Sequence, residues 1–157
     1  MFVWEPFNMP SASMEPTLNV GDYFVVEKAL YGLGKPQRGD LVVFHHPADE
    51  APYVKRLVGL PGDSLQWQSG ILLLNGVPLP REQLTPQREG EWGIVYRETI
   101  FAGRSYLIRE VSDEQRFDNT EVYEVPEGHY FFIGDNRDNS LDSRHDIGYV
   151  PREDIIG

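Results

Sequence analysis

Short apolar runs set off by glycine and proline recur along the whole chain, and no long run with a helical period interrupts them. This spacing predicts many short strands joined by turns. Gly21-Asp22 leads into Tyr23-Phe24-Val25-Val26, and Arg38-Gly39-Asp40 leads into Leu41-Val42-Val43-Phe44, with Pro47 closing the run. Pro52 to Gly59 reads as a third strand, followed by the turn Pro61-Gly62-Asp63 and a strand over Ser64 to Trp67. Ile71-Leu72-Leu73-Leu74 comes next. Asn75-Gly76 is then a two-residue hairpin signal before Val77-Pro78-Leu79, because both residue types tolerate the positive φ of a type I′ turn. From Pro80 to about Glu127 the chain is more acidic and less periodic, with strands over Gly93 to Phe101 and Arg104 to Val111. Tyr130-Phe131-Phe132-Ile133 delivers a polar string beginning at Gly134, and Gly148 to Pro151 closes the pattern. The expectation is a mostly β fold with a body formed by 1–79 and 126–157 and a small inserted subdomain at 80–125.

With 157 residues, 40% of them hydrophobic, the chain can bury the core of one ordinary domain. Its 14 basic and 25 acidic residues give a net charge of −11, which disfavours nucleic-acid phosphate as a partner. No cysteine is present, so disulfides, thiolate nucleophiles and cysteine zinc sites are excluded. The four histidines lack an HExxH spacing, and no metal or cofactor is expected. No stretch of about 18 apolar residues occurs that would read as a membrane span.

Three islands could carry chemistry. Met9-Pro10-Ser11-Ala12-Ser13-Met14-Glu15-Pro16-Thr17-Leu18 holds two serines between prolines, so one hydroxyl can attack while the other meets a developing oxyanion. Taken alone, such a loop is more often only a loop. Lys55 is one of three lysines, and strand alternation puts it on the face of Tyr53 and Leu57, with Val54, Arg56 and Val58 opposite. Apolar company would lower its pKa and make the neutral amine available as a base; the commoner fate of a strand lysine is to snorkel at a sheet edge. Lys28 and Lys35 read as solvated. The third island, Gly134-Asp135-Asn136-Arg137-Asp138-Asn139-Ser140-Leu141-Asp142-Ser143-Arg144, reads as a loop cross-braced by Arg and Asp pairs. It lacks the spacing of an EF-hand, and two arginines would repel calcium.

PSASMEPTL, YVKRLVGLPGD and GDNRDNSLDSR, in that order, closely resemble the three boxes of the bacterial type I signal peptidases, which use a serine and lysine dyad. The resemblance runs from about Phe7 to Gly157. It implies that Ser13 is the nucleophile and Lys55 its general base, with Ser11 and the Ser13 N–H forming the oxyanion hole. It further implies that Ser140 orients the lysine amine, and that Arg56, Asp135, Asp142 and Arg144 form a supporting polar network. Phe7, Met9, Pro10, Leu18, Val43, Tyr53 and Val54 fall at substrate-pocket positions. Such pockets would take alanine at the positions one and three before the cleaved bond. The implied partners are signal peptides of exported preproteins and a membrane surface. The implied location is the bacterial inner membrane, with the catalytic body on its extracytoplasmic side. Against that pattern the sequence reads as a truncated form without its transmembrane anchor, and with an early end at Asp154 to Gly157. Trp4 and Phe7 are expected to mark the edge of a membrane-facing apolar surface.

Other readings are weaker. A self-cleaving repressor-type protease with the same dyad would need a scissile Ala-Gly ahead of its serine, and Ala102-Gly103 lies far downstream. A Ser-His-Asp hydrolase with His129 or His145 as base has no GxSxG elbow to support it. A non-catalytic extracytoplasmic β-rich binding module would explain the acidity and the strands but would require neither Lys55 nor Ser140.

Overall fold

A computed structural model describes residues 3–28, 35–85 and 93–157. Met1 and Phe2, at the start of the segment expected to face a membrane, lie outside them. The described strands, in chain order, begin with β1 (Trp4–Asn8), β2 (Tyr23–Glu27), β3 (Leu41–His45) and β4 (Pro52–Gly59). β5 (Ser64–Gln68), β6 (Ile71–Leu74), β7 (Val77–Pro78), β8 (Arg81–Gln83), β9 (Ile94–Ile100) and β10 (Arg104–Glu110) follow. β11 (Tyr123–Glu124), β12 (His129–Ile133) and β13 (Val150–Pro151) complete the series. The described helices are three single 3₁₀ turns, at Ala12–Met14, Phe101–Gly103 and Arg152–Asp154. The expected mostly β, antiparallel fold is thus observed.

The strands form four antiparallel sheets, ordered β1-β2, β10-β9-β8, β11-β5-β6-β7 and β13-β12-β4-β3. At the hairpin between β6 and β7, Asn75 and Gly76 both have positive φ, 53° and 79°, as a type I′ turn demands. β4 is enclosed on both faces from Val54 onward, Lys55 and Arg56 included, flanked by β3 and β12. Its last residue must be a glycine, since a Cβ at Gly59 would stand 2.7 Å from both Leu65 and Phe131.

Three apolar clusters hold the sheets together. The largest joins Val58, Leu65, Trp67, Leu72, Phe131 and Ile133 to Ile94, Tyr96, Ile100, Tyr106 and Ile108, so the β8–β10 sheet shares its core with the flanking segments. A second lies around Phe44, Leu57, Phe132 and Val150. The third, of Met9, Met14, Val26, Val43 and Val54, fastens the loop after β1 onto β3 and β4. Burying a side chain of this size is worth about 1.5–3 kcal/mol, so Met9 and Met14 anchor the serine loop from either side.

Candidate active site

The loop Pro10 to Leu18 makes one 3₁₀ turn, closed by Glu15 N–H on Ala12 O at 3.1 Å. That turn points the fully buried Met14 inward and leaves Ser13 at the cleft floor, 6% exposed. Lys55 extends from β4 to the same point, 4% exposed, with its Nζ 2.6 Å from Ser13 Oγ. Ser11 Oγ lies 3.1 Å from Ser13 Oγ. Burial depresses the Lys55 pKa to about 8, although Asp142 and Asp135 pull it upward. The two adjacent cations of β4 point to opposite faces, and both are buried. Lys55 lies near the Tyr53 ring at the cleft, whereas Arg56 passes beneath the site.

Beneath that floor the charges are paired. Asp135 accepts from Arg56 Nε at 2.8 Å and Nη2 at 2.7 Å, and from Thr17 Oγ1 at 2.5 Å, so one carboxylate ties all three islands together. Asp142 accepts from Arg144 Nε at 3.0 Å and Nη2 at 2.9 Å and from Gly134 N–H at 3.0 Å. Burial alone would raise the Asp142 pKa; the Arg144 guanidinium outweighs it, and the net shift is downward. Gly134 is packed so closely that a Cβ there would stand 2.2 Å from Ser140 Oγ and 2.6 Å from Ser13 O. Any side chain at 134 would drive the first and third islands apart.

A cleft of about 680 Å³ contains Ser11, Ser13, Lys55 and Ser140. Phe7, Met9, Pro10, Val43, Tyr53 and Val54 line it as expected. Leu18 does not; it borders a neighbouring cavity of about 770 Å³ that contains neither Ser13 nor Lys55. Phe7 is on the inner face of β1 and stacks on Phe24, so it does not share the exposed face of Trp4. Ser140 Oγ is buried without a hydrogen-bond partner, so the bond to Lys55 expected of it is not made here. Among the described residues no group of His, Asp and Glu side chains could hold a metal ion.

The signal peptidase, peptidase S26 family matches residues 1–157. Signal peptidase I of Rickettsia typhi is 37% identical over 187 residues, covering 100% of this chain and 70% of that protein. Signal peptidase I of Pseudomonas aeruginosa is 38% identical over 180 residues, covering 99% and 63%. The chain belongs to the signal peptidase family. It is a serine endopeptidase, a hydrolase of signal-peptide processing. The crystal structure of a signal peptidase I from Enterococcus faecalis superposes with a TM-score of 0.50 at 28% identity, covering 80% of this chain and 97% of that one. The signal peptidase I family is membrane-associated, and among the described residues no helix is long and apolar enough to cross a membrane.

Several residues of this signal peptidase site carry contacts that the motifs did not disclose. Asn136 donates through its backbone to Ser13 O and through Nδ2 to Ala12 O, each at 3.0 Å. Arg137 meets Glu98 of β9 at 2.6 and 3.2 Å in a fully buried pair, and Tyr106 donates to the same carboxylate at 2.7 Å. Arg109 pairs with Glu15 at 2.7 Å. Arg116, Phe117, Leu141 and His145 form the far rim of the cleft. Glu98 had a readable signal, since β9 alternates Ile94, Tyr96, Glu98, Ile100 on its buried face.

Proposed function

We propose that this chain removes signal peptides from exported preproteins with a Ser13/Lys55 dyad, cleaving after small residues at a membrane surface. The observation that carries the proposal is the 2.6 Å contact between Lys55 Nζ and Ser13 Oγ on a buried floor. The neutral amine takes the Ser13 proton as Oγ bonds to the scissile carbonyl carbon. The carbonyl electron pair moves onto oxygen, which the Ser13 N–H and the Ser11 hydroxyl stabilise. Collapse breaks the C–N bond, and the Lys55 ammonium returns its proton to the leaving amine. Lys55 then deprotonates a water that attacks the acyl carbon; collapse breaks the ester C–O bond, and the Lys55 ammonium returns the proton to Ser13 Oγ. Ser140, already in the cleft wall, turns its free hydroxyl to the amine and holds it between these transfers.

Met9, Val43, Tyr53 and Val54 leave apolar pockets suited to alanine at the positions one and three before the cut. The outer face of the β1-β2 hairpin supports membrane contact, for Trp4 and Val25 are each 60% exposed and Tyr23 is 85% exposed. The test is a peptide carrying Ala-x-Ala after an apolar stretch, incubated with the chain and with Ser13→Ala and followed by mass spectrometry. Cleavage after the second alanine is expected from the unaltered chain alone, at a rate rising through pH about 8 as Lys55 loses its proton. Cleavage that survived Ser13→Ala, or a rate that peaked in acid, would overturn the proposal.

A further inference from the structure

Asn136 holds the one peptide unit on which the proposed oxyanion hole depends. The Ala12–Ser13 peptide ends in the Ala12 carbonyl on one side and the Ser13 N–H on the other. Its carbonyl receives Glu15 N–H at 3.1 Å and Asn136 Nδ2 at 3.0 Å, filling both lone pairs. The Asn136 backbone N–H donates to the next carbonyl, Ser13 O, at 3.0 Å. The Ser13 N–H, on the other side of this peptide, is the donor that the proposed oxyanion hole uses.

The peptide is planar and trans, so fixing its carbonyl fixes the direction of its N–H. Hydrogen bonds at the carbonyl also polarise the unit and strengthen the N–H as a donor. Asn136 can do this because it is itself held. It is 7% exposed, bridges Arg109 of β10, and accepts Asn139 N–H at 3.0 Å. We propose that Asn136 is a positioning residue that aims the Ser13 N–H at the oxyanion formed during cleavage. This rests on the reading of Ser13 N–H and Ser11 as the oxyanion hole.

The experiment compares the unaltered chain with Asn136→Ala, Asn136→Leu and Ser11→Ala. It measures kcat and KM on the Ala-x-Ala peptide across pH. It also measures affinity for a peptide aldehyde ending in alanine, which forms a tetrahedral adduct, and for the same peptide with a reduced, uncleavable bond. Asn136→Ala should lower kcat by roughly 10- to 100-fold, less than the loss of a direct donor. Aldehyde affinity should fall by a similar factor, with KM, reduced-peptide affinity and the alkaline limb unmoved. Asn136→Leu keeps the bulk without the amide and should behave alike; it carries the test if the alanine variant fails to fold. Unchanged aldehyde affinity in folded Asn136 variants, alongside a loss in Ser11→Ala, would overturn the role of Asn136 alone. A Ser11→Ala protein that bound the aldehyde normally would overturn the oxyanion reading instead. A change confined to KM, or a shifted limb, would show that Asn136 acts by another route and would also overturn the inference.

Discussion

Below the cleft floor Arg56, Arg137 and Arg144 each face a carboxylate at hydrogen-bonding distance, whereas Lys55 on the floor faces only a hydroxyl. All four cations are buried. Burial penalises the charge of Arg137, but Glu98 outweighs it and the guanidinium's pKa is raised. Lys55 has no such contact, and the same penalty lowers its pKa to about 8. One interior thus gives three guanidinium groups a carboxylate within bonding reach and gives the Lys55 amine none. Two kinds of failure should follow: damage to the floor should cost rate, and damage to the brace should cost stability.

The largest effect should come from Lys55→Arg. A guanidinium stays protonated at any working pH and cannot accept the Ser13 proton. Turnover should fall by roughly 10⁴-fold or more, as when a nucleophile loses its base. A purified Lys55→Arg protein with near-normal turnover would remove the dyad and the comparison with it.

Glu98→Ala probes the other side. It leaves Arg137 fully buried without the carboxylate it bonds and the Tyr106 hydroxyl without its acceptor. Breaking a buried pair from one side costs about 3–5 kcal/mol, read as a lowered denaturant midpoint. At a temperature where the variant remains folded, its rate should fall far less than that of Lys55→Arg. Stability equal to the unaltered protein would show that the brace is not a brace.

How much of this was legible depended on how local the signal was. The proposed dyad, Ser11 and the members of the Arg56–Asp135 and Arg144–Asp142 pairs stand in three dense islands, and it is the order of those islands that carries the family resemblance. β1 was not anticipated, because Trp-Glu-Pro-Phe-Asn mixes charge and proline; a two-stranded edge pairing with β2 tolerates Pro6 where a central strand would not. The family resemblance puts Leu18 at a substrate-pocket position, but the structure does not bring it to the cleft. The turn closed by Thr17 and Leu18 N–H on Met14 O, with Thr17 tied to Asp135, carries that side chain away from the cleft. Glu98 could be read as buried from β9's alternation, but its partner Arg137 lies 39 residues onward and is brought to it only by the packing of the β8–β10 sheet. The two bonds from Asn136 have the same character, crossing from the third island to the first.

The subtlest consequence of the comparison concerns stability against pH. Unfolded, Lys55 has its ordinary pKa near 10.4; folded, it titrates at about 8. Between those values the unfolded chain binds the extra proton, so this group's contribution to stability rises with pH. Below about pH 8 the penalty is fully present, on the order of 3 kcal/mol at that shift. Lys55→Met keeps much of the stem and removes the titrating amine. The variant should be inactive yet at least as stable as the unaltered chain at pH 7, by up to about 3 kcal/mol, with the advantage shrinking toward zero by pH 10. Tyrosines and other groups titrating in that range are common to both proteins and cancel in the difference. Denaturant midpoints of the two proteins from pH 7 to 10 would measure it. A Lys55→Met protein that unfolded more easily at pH 7, or a difference that stayed constant with pH, would mean that Lys55 is stabilised as an ammonium. Floor and brace would then be one network of paired charges.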